Sequence, residues 1–407
     1  MSFSNNFPTT NPTLELDFAN VNALDPRITF TRANPIATVT NSLGLIQTVG
    51  ANVPRFDYDP VTLAAKGLLI EEQRTNLFQY SEYFDDVAWS KGGATISADS
   101  TSSPNGNNNA DRLVEDTSTG DHRTFQIASF TSGTAYTFSV YAKASGRNLL
   151  QLANTMAGGF ASTFDLTAGT VTNTATGTAT ITNAGNGWYR CSVSNTSGVT
   201  GSSNNQIRLV DTGTNTSYTG NGTSGIFLFG AQLEAGAFPT SYIPTTTTAL
   251  TRAADVANVN TLSPWYNASA STIYAEVAVP QLGRAARPWT VDDGSMSNIV
   301  DATISVANGF AVEAIAGGVY GGFAAATGLI TANTTQKTAA VFTTSGNELA
   351  CLNAGTVGSN AITLPSVSLT RLLLGRQDNG VALCGWLRRL TYYPRAFSAA
   401  ELQAITS

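Results

Sequence analysis

Side chains able to do chemistry are sparse in this sequence. His122 is the single histidine, so a serine–histidine–aspartate relay would have to run through it. It stands in Gly120-Asp-His-Arg-Thr, which reads as a surface turn before a strand, and no Gly-x-Ser-x-Gly elbow occurs. Glycoside hydrolysis needs two carboxylates about 5 to 10 Å apart across the sugar. Glu71 and Glu72 are adjacent, so a strand sends them to opposite faces. Glu276 is alone on its strand, and Asp292 and Asp293 are neighbours in a predicted loop. No Glu-x-Asp-x-x-Glu run places carboxylates on one strand face. The expectation is a protein that is not an enzyme.

Binding chemistry is better represented. Sugars stack on exposed aromatic rings, with polar side chains holding the hydroxyls. Among the five tryptophans, Trp188 and Trp386 lie in strand phrases and are assigned to cores. Trp89, Trp265 and Trp289 lie in irregular segments, and with Tyr266 and Tyr320 they are the candidate carbohydrate platforms. Aromatic residues also pack cores, which is the competing role. No cofactor is expected beyond a structural calcium, which takes loop carboxylates and carbonyls. Its candidate ligands are Asp292, Asp293, Asp378 and Asn379, although Asp378-Asn-Gly also reads as a plain turn.

Composition narrows the partners. Charged residues make up 12% of the chain, about half the usual share, so Thr, Ser, Asn and Gly must form the polar surface. The net charge is −6 with no long basic run, which argues against nucleic-acid binding. No apolar stretch of about 18 residues exists to insert into a membrane. The first eight residues lack the basic head and apolar run of a signal peptide. Cys191, Cys351 and Cys384 are too few and too widely spaced for a disulfide framework. Cys191 reads as a small apolar strand residue, and a Cys351–Cys384 bridge is left open.

The elements that must carry these residues are short strands. Alternation marks strands at Leu14-Glu-Leu-Asp-Phe, 28–32, 123–130, 136–142, 149–153, 187–195, 206–210, 225–233, 272–279, 304–312, 338–343 and 372–376. Gly- and Asn-rich turns separate them, as in sandwiches and barrels. Residues 317–328 are rich in Gly and Ala, which leaves their register weakly specified. Ser398 and Glu401 have the spacing of a capping box for a helix over 399–405. Residues 230–244, Gly-Ala-Gln-Leu-Glu-Ala-Gly-Ala-Phe-Pro-Thr-Ser-Tyr-Ile-Pro, read as a closing strand followed by a proline stop. Strand alternation puts Phe227, Phe229 and Ala231 on one face and Leu228, Gly230 and Gln232 on the other.

Three phrases resemble known families. Residues 230–244 resemble the end of a jelly roll, similar to carbohydrate-binding modules, in phage and prophage structural proteins. Val53-Pro-Arg-Phe-Asp-Tyr-Asp-Pro with Gly67-Leu-Leu-Ile-Glu-Glu-Gln-Arg-Thr-Asn-Leu-Phe resembles the N-terminal portion of phage tail and virion-surface proteins. Gly385-Trp-Leu-Arg-Arg-Leu-Thr-Tyr-Tyr-Pro-Arg-Ala-Phe-Ser is similar to the end of concanavalin-A-like, laminin-G-like sandwiches. The resulting expectation is an all-β chain with an N-terminal β-rich segment and two antiparallel β-sandwiches. The segments are 1–78 for virion attachment, 79–247 as the jelly roll and 248–407 as the concanavalin-A-like domain. The resemblance implies a fibre or spike on a virion surface, synthesised in the host cytoplasm. Its expected partners are a host-surface glycan and other virion proteins, in a homo-oligomer with a trimer favoured. The alternatives are a capsid-decoration or baseplate protein and a polysaccharide depolymerase.

Overall fold

The computed structural model describes residues 10–33, 36–155, 159–344 and 346–407. The N-terminal octapeptide read for a leader therefore lies outside the described residues. The chain is all-β, with one short helix among the described residues. Its strands form two antiparallel sandwiches, one of two six-stranded sheets and one of an eight-stranded and a seven-stranded sheet.

The sandwiches are not consecutive. Leu14–Asp17 pairs with Gly385–Tyr393 along Leu14↔Tyr392 to Asp17↔Arg389. Ala65–Ile70 takes the rest of that same edge, from Leu68↔Leu387 to Ile70↔Gly385. Ile28–Thr31 pairs with Val256–Val259 in the facing sheet. The segment assigned to residues 1–78 therefore supplies strands to the C-terminal sandwich, and among its described residues the one sheet it forms by itself is the hairpin Ala37–Thr40/Ile46–Val49. The jelly roll is an insertion into that sandwich. Its entrance and exit run side by side as the ribbon Arg74–Asn76/Leu250–Arg252. The physical reason is burial: Leu14, Leu16, Leu68 and Ile70 join Leu387 and Leu390 in one core, and that apolar surface would otherwise face water.

The jelly roll has its own core, in which Phe138, Val140, Leu150, Leu152, Ile207 and Leu228 meet. The closing strand, Gly225–Ala235, departs from simple alternation. Its ladder with Ala135–Ser145 slips between Ser139 and Tyr141, at Gly230 with φ of 60°. A bulge adds one residue and reverses the facing of the residues beyond it. Ala231 thus joins Leu228 in the core, while Phe229 packs with Tyr141 and Tyr242 on the other side. The phrase 304–312, read as one strand, is two: Ile299–Ile304 and Phe310–Ala316 form a hairpin. The helix Ala399–Ile405 carries the predicted capping box at Ser398 and Glu401.

Where the two sandwiches meet, the family-like phrases converge on a buried charge cluster. Arg55 reaches Glu71 at 2.7 Å and also pairs with Asp255. Arg32 holds the other oxygen of Asp255 at 3.1 Å. Glu71 pairs with Arg252 and accepts from the backbone and hydroxyl of Ser241 at 2.8 and 2.6 Å. Ser241 belongs to the inserted jelly-roll phrase, so the insertion is bolted to its host through this cluster.

Candidate functional site

Three of the five aromatic candidates are structural. Trp89 is 1% exposed, ring to ring with Phe84 at 4.8 Å, and its indole donates to the Tyr80 carbonyl at 2.9 Å. Trp289 is fully buried between the sheets of the C-terminal sandwich. Trp265 is buried edge-on to Tyr392 at 5.0 Å, with Tyr266 half-buried beside it. Trp289, assigned from sequence to an irregular segment, lies within the strand Ala286–Asp292 and is paired to Ala302 and Leu374 on its two sides. Tyr320 is different, at 56% exposed.

The calcium candidates do not gather. Arg371 stands between Asp292, at 2.5 Å, and Asp378, and supplies the positive charge a cation would bring. Asp293 turns to Ser295 and Asn298. Asn379 caps its own turn by accepting from Val381 N–H at 3.0 Å. No cluster of three or more metal-type ligands exists among the described residues. These residues do not fit a calcium ion.

His122 is not a surface residue. It is buried, with its ring nitrogens facing the carbonyls of Gly93 and Tyr218. All three cysteines are free and buried. Cys351 lies against the C-terminal helix and Cys384 beside Phe238.

Tyr320 and Asn379 do share a site. On Ile299–Ile304, Val300, Ala302 and Ile304 point into the core, so Asp301 points to the outer face. Register carries that row across the sheet, from Asp301 to Glu313 and on to Phe323. The turn around Gln377 covers one side, and Tyr320 stands at the other. Together they bound a slot of about 280 Å³ lined by Arg287, Asp301, Glu313, Gln377, Tyr320 and Asn379. Phe323, beside Glu313 in the register, is 49% exposed.

The polar groups of the slot are tightly set. Arg287 reaches Glu313 at 2.7 Å and Asp301 at 3.1 Å. Gln377 Nε2 donates to Asp301 Oδ2 at 3.0 Å. The Tyr320 hydroxyl donates to Glu313 at 3.5 Å. Burial holds the Asp301 carboxyl well above the ordinary carboxylate range; Arg287 pulls it back and Glu313 pushes it further up. Asp301 Oδ1 and Gln377 Oε1 are buried and accept no hydrogen bond from the described residues. A buried acceptor left without a donor costs roughly 1 to 3 kcal/mol. Asp301, Glu313 and Gln377 all line the slot, and so polar a lining suits a ligand bearing several hydroxyls. Asp301 and Glu313 are cross-strand neighbours bridged by Arg287.

Sequence reasoning missed Arg287, Asp301, Glu313 and Gln377. The usable signal was weak: charged Asp301 and Glu313 within otherwise apolar strand phrases.

No family model matches the sequence, and no curated protein matches it. Solved structures with some likeness include the Ruminococcus gnavus IT-sialidase CBM40 bound to α2,3 sialyllactose. The identity there is 14%, over 35% of this chain and 84% of that one, with a TM-score of 0.31. The LG1-3 region of the laminin α2 chain overlaps 67% of this chain and 65% of its own, at 10% identity and a TM-score of 0.26. A heptameric SAP-like pentraxin from Limulus polyphemus overlaps 35% of this chain and 73% of its own, at 9% identity and a TM-score of 0.28. These are likenesses of partial overlap, and the reading of the site rests on its own residues.

Proposed function

We propose that this protein is a non-catalytic glycan-binding adhesin on the surface of a phage-like virion. The observation that carries the reading is the outer-sheet slot, lined by Arg287, Asp301, Glu313 and Gln377, with the exposed ring of Tyr320 on its rim. A sugar ring would stack against Tyr320 with its hydroxyls turned to the side chains of Asp301, Glu313 and Gln377. Phe323 extends the aromatic rim for a second residue of the glycan. The virion setting is supported by two sequence phrases, 230–244 and 53–78, and by the sparsely charged, Thr- and Asn-rich composition. Each slot would bind weakly, and a symmetric oligomer, a trimer favoured, would raise avidity through effective concentration.

The test is binding of the purified full chain to host-cell envelopes before and after periodate oxidation of their glycans. Saturable binding that periodate abolishes is the expected result. Binding unchanged by periodate and removed by protease would favour the rival role, a capsid-decoration or baseplate protein that contacts other proteins. Release of reducing sugar from host polysaccharide would replace the adhesin reading with a depolymerase.

A further inference from the structure

A second cavity lies at the seam of the two sandwiches, away from the outer-sheet slot and independent of the reading given to it. It measures about 210 Å³. Its walls come from the N-terminal strands, the jelly roll and Gly385–Tyr393, so it exists only because the inserted sandwich docks on its host. Ligand sites favour such domain interfaces. Tyr141, Tyr242, Leu69 and Trp386 supply ring and apolar surface.

The charges around it are unequal. Lys66 Nζ sits 4.1 Å from the centre of the Trp386 ring, and its charge reaches Asp57 through space, with no direct ion pair between them among the described residues. Arg190 donates to the Thr240 carbonyl at 2.7 Å and to the Ser139 hydroxyl at 3.0 Å. It has no carboxylate partner among the described residues, and its Nε is buried without an acceptor. The acids of the cavity are already engaged. Asp57 accepts from Thr40 N–H and from the Trp386 indole, each at 2.8 Å. Glu71 is held by Arg55, Arg252 and Ser241. Two cations without a direct ion pair thus line a ring-walled cavity, where Lys66 feels Asp57 only through space and Glu71 is neutralised by its own arginines.

We propose that this seam cavity binds a small ring-bearing carboxylate, with Lys66 and Arg190 holding the carboxylate and Trp386 and Tyr141 flanking the ring. An acidic monosaccharide and an aromatic acid share that chemistry, and the experiment separates them. Calorimetric titration of the full chain would use sodium glucuronate, sodium benzoate and glucose. Saturable binding of glucuronate identifies a sugar acid, and saturable binding of benzoate alone identifies an aromatic acid. Either supports the site, provided Lys66→Gln and Arg190→Gln each weaken it about tenfold while Lys66→Arg retains it. Melting curves of the variants show whether they are folded. Tyr320→Ala, which alters only the outer slot, should leave the affinity unchanged. The proposal is overturned if neither carboxylate binds saturably, if glucose binds as well as they do, or if the two Gln variants bind as the native chain does. Loss of binding in Tyr320→Ala would also overturn it, by placing the ligand in the outer slot.

Discussion

Arg55 and Glu71 meet at 2.7 Å with both side chains buried, and they come from the two N-terminal phrases that look most conspicuous in the sequence. Around them Arg252, Asp255 and Ser241 complete a network that ties the inserted sandwich to its host. Removing one partner of a buried ion pair strands the other in a low-dielectric interior, at a cost of about 3 to 5 kcal/mol. Arg55→Ala and Glu71→Ala are each expected to lower stability by that amount in chemical denaturation. The double variant should cost less than the sum of the two. Additive losses would show that the pair is not coupled.

The same network predicts an acid limb. The Glu71 carboxyl is buried, which alone would raise its pKa, but Arg252 and Arg55 outweigh that and bring it down to about 2 from an ordinary 4.5. A depressed carboxyl contributes stability above its unfolded pKa and loses it as pH falls toward the folded value. The contribution, on the order of 3 kcal/mol, should therefore disappear between about pH 5 and pH 2. Asp111 acts in the opposite sense, since burial raises it to about 6. It favours the folded state at acid pH and loses that contribution as pH rises from about 4 to 6. Denaturation midpoints measured from pH 7 to pH 2 should show a limb that is flatter in Glu71→Gln than in the native chain.

Trp89 and Trp289 are core residues and not sugar platforms. Truncation of a buried aromatic costs about 3 to 5 kcal/mol. Trp89→Ala and Trp289→Ala are expected to lose stability by that margin in thermal melts. Any loss of glycan binding should follow the unfolded fraction, and binding lost at full foldedness would return these rings to the site.

Residues 248–407 should not fold alone. Without Leu14–Asp17 and Ala65–Ile70, one edge of Gly385–Tyr393 is unpaired and Leu387 and Leu390 lose their cover. An exposed apolar strand edge is an aggregation site. Size-exclusion chromatography of the fragment is expected to show aggregate, and circular dichroism no cooperative melt. A monomeric fragment with a sharp transition would contradict the insertion architecture.

What the sequence disclosed was local. Alternation at Leu14 and Leu16, the strand over 136–142, and the Ser398–Glu401 cap each depend on neighbours a few residues away. The insertion was hidden because Leu14 finds Tyr392 and Arg74 finds Arg252 only through the finished sheets. The slot was hidden for the same reason. Asp301 and Glu313 are brought together by hairpin register, and Gln377 arrives from a turn far along the chain. Gly230 misled the face assignment because a bulge leaves no mark in a hydrophobic pattern. Tyr320 was found, although its glycine-rich strand gave no register to place it.

The central claim is that the outer-sheet slot holds a glycan through Gln377, Asp301 and Tyr320. The direct measurement is a glycan array probed with the native chain and with Gln377→Ala, Asp301→Asn and Tyr320→Ala, each first shown to melt as the native chain does. The account predicts a defined set of glycans bound by the native chain. It also predicts a loss of about tenfold or more in each variant, the size of a lost hydrogen bond to a buried group or a lost stacking ring. Native-level binding in all three folded variants would contradict it.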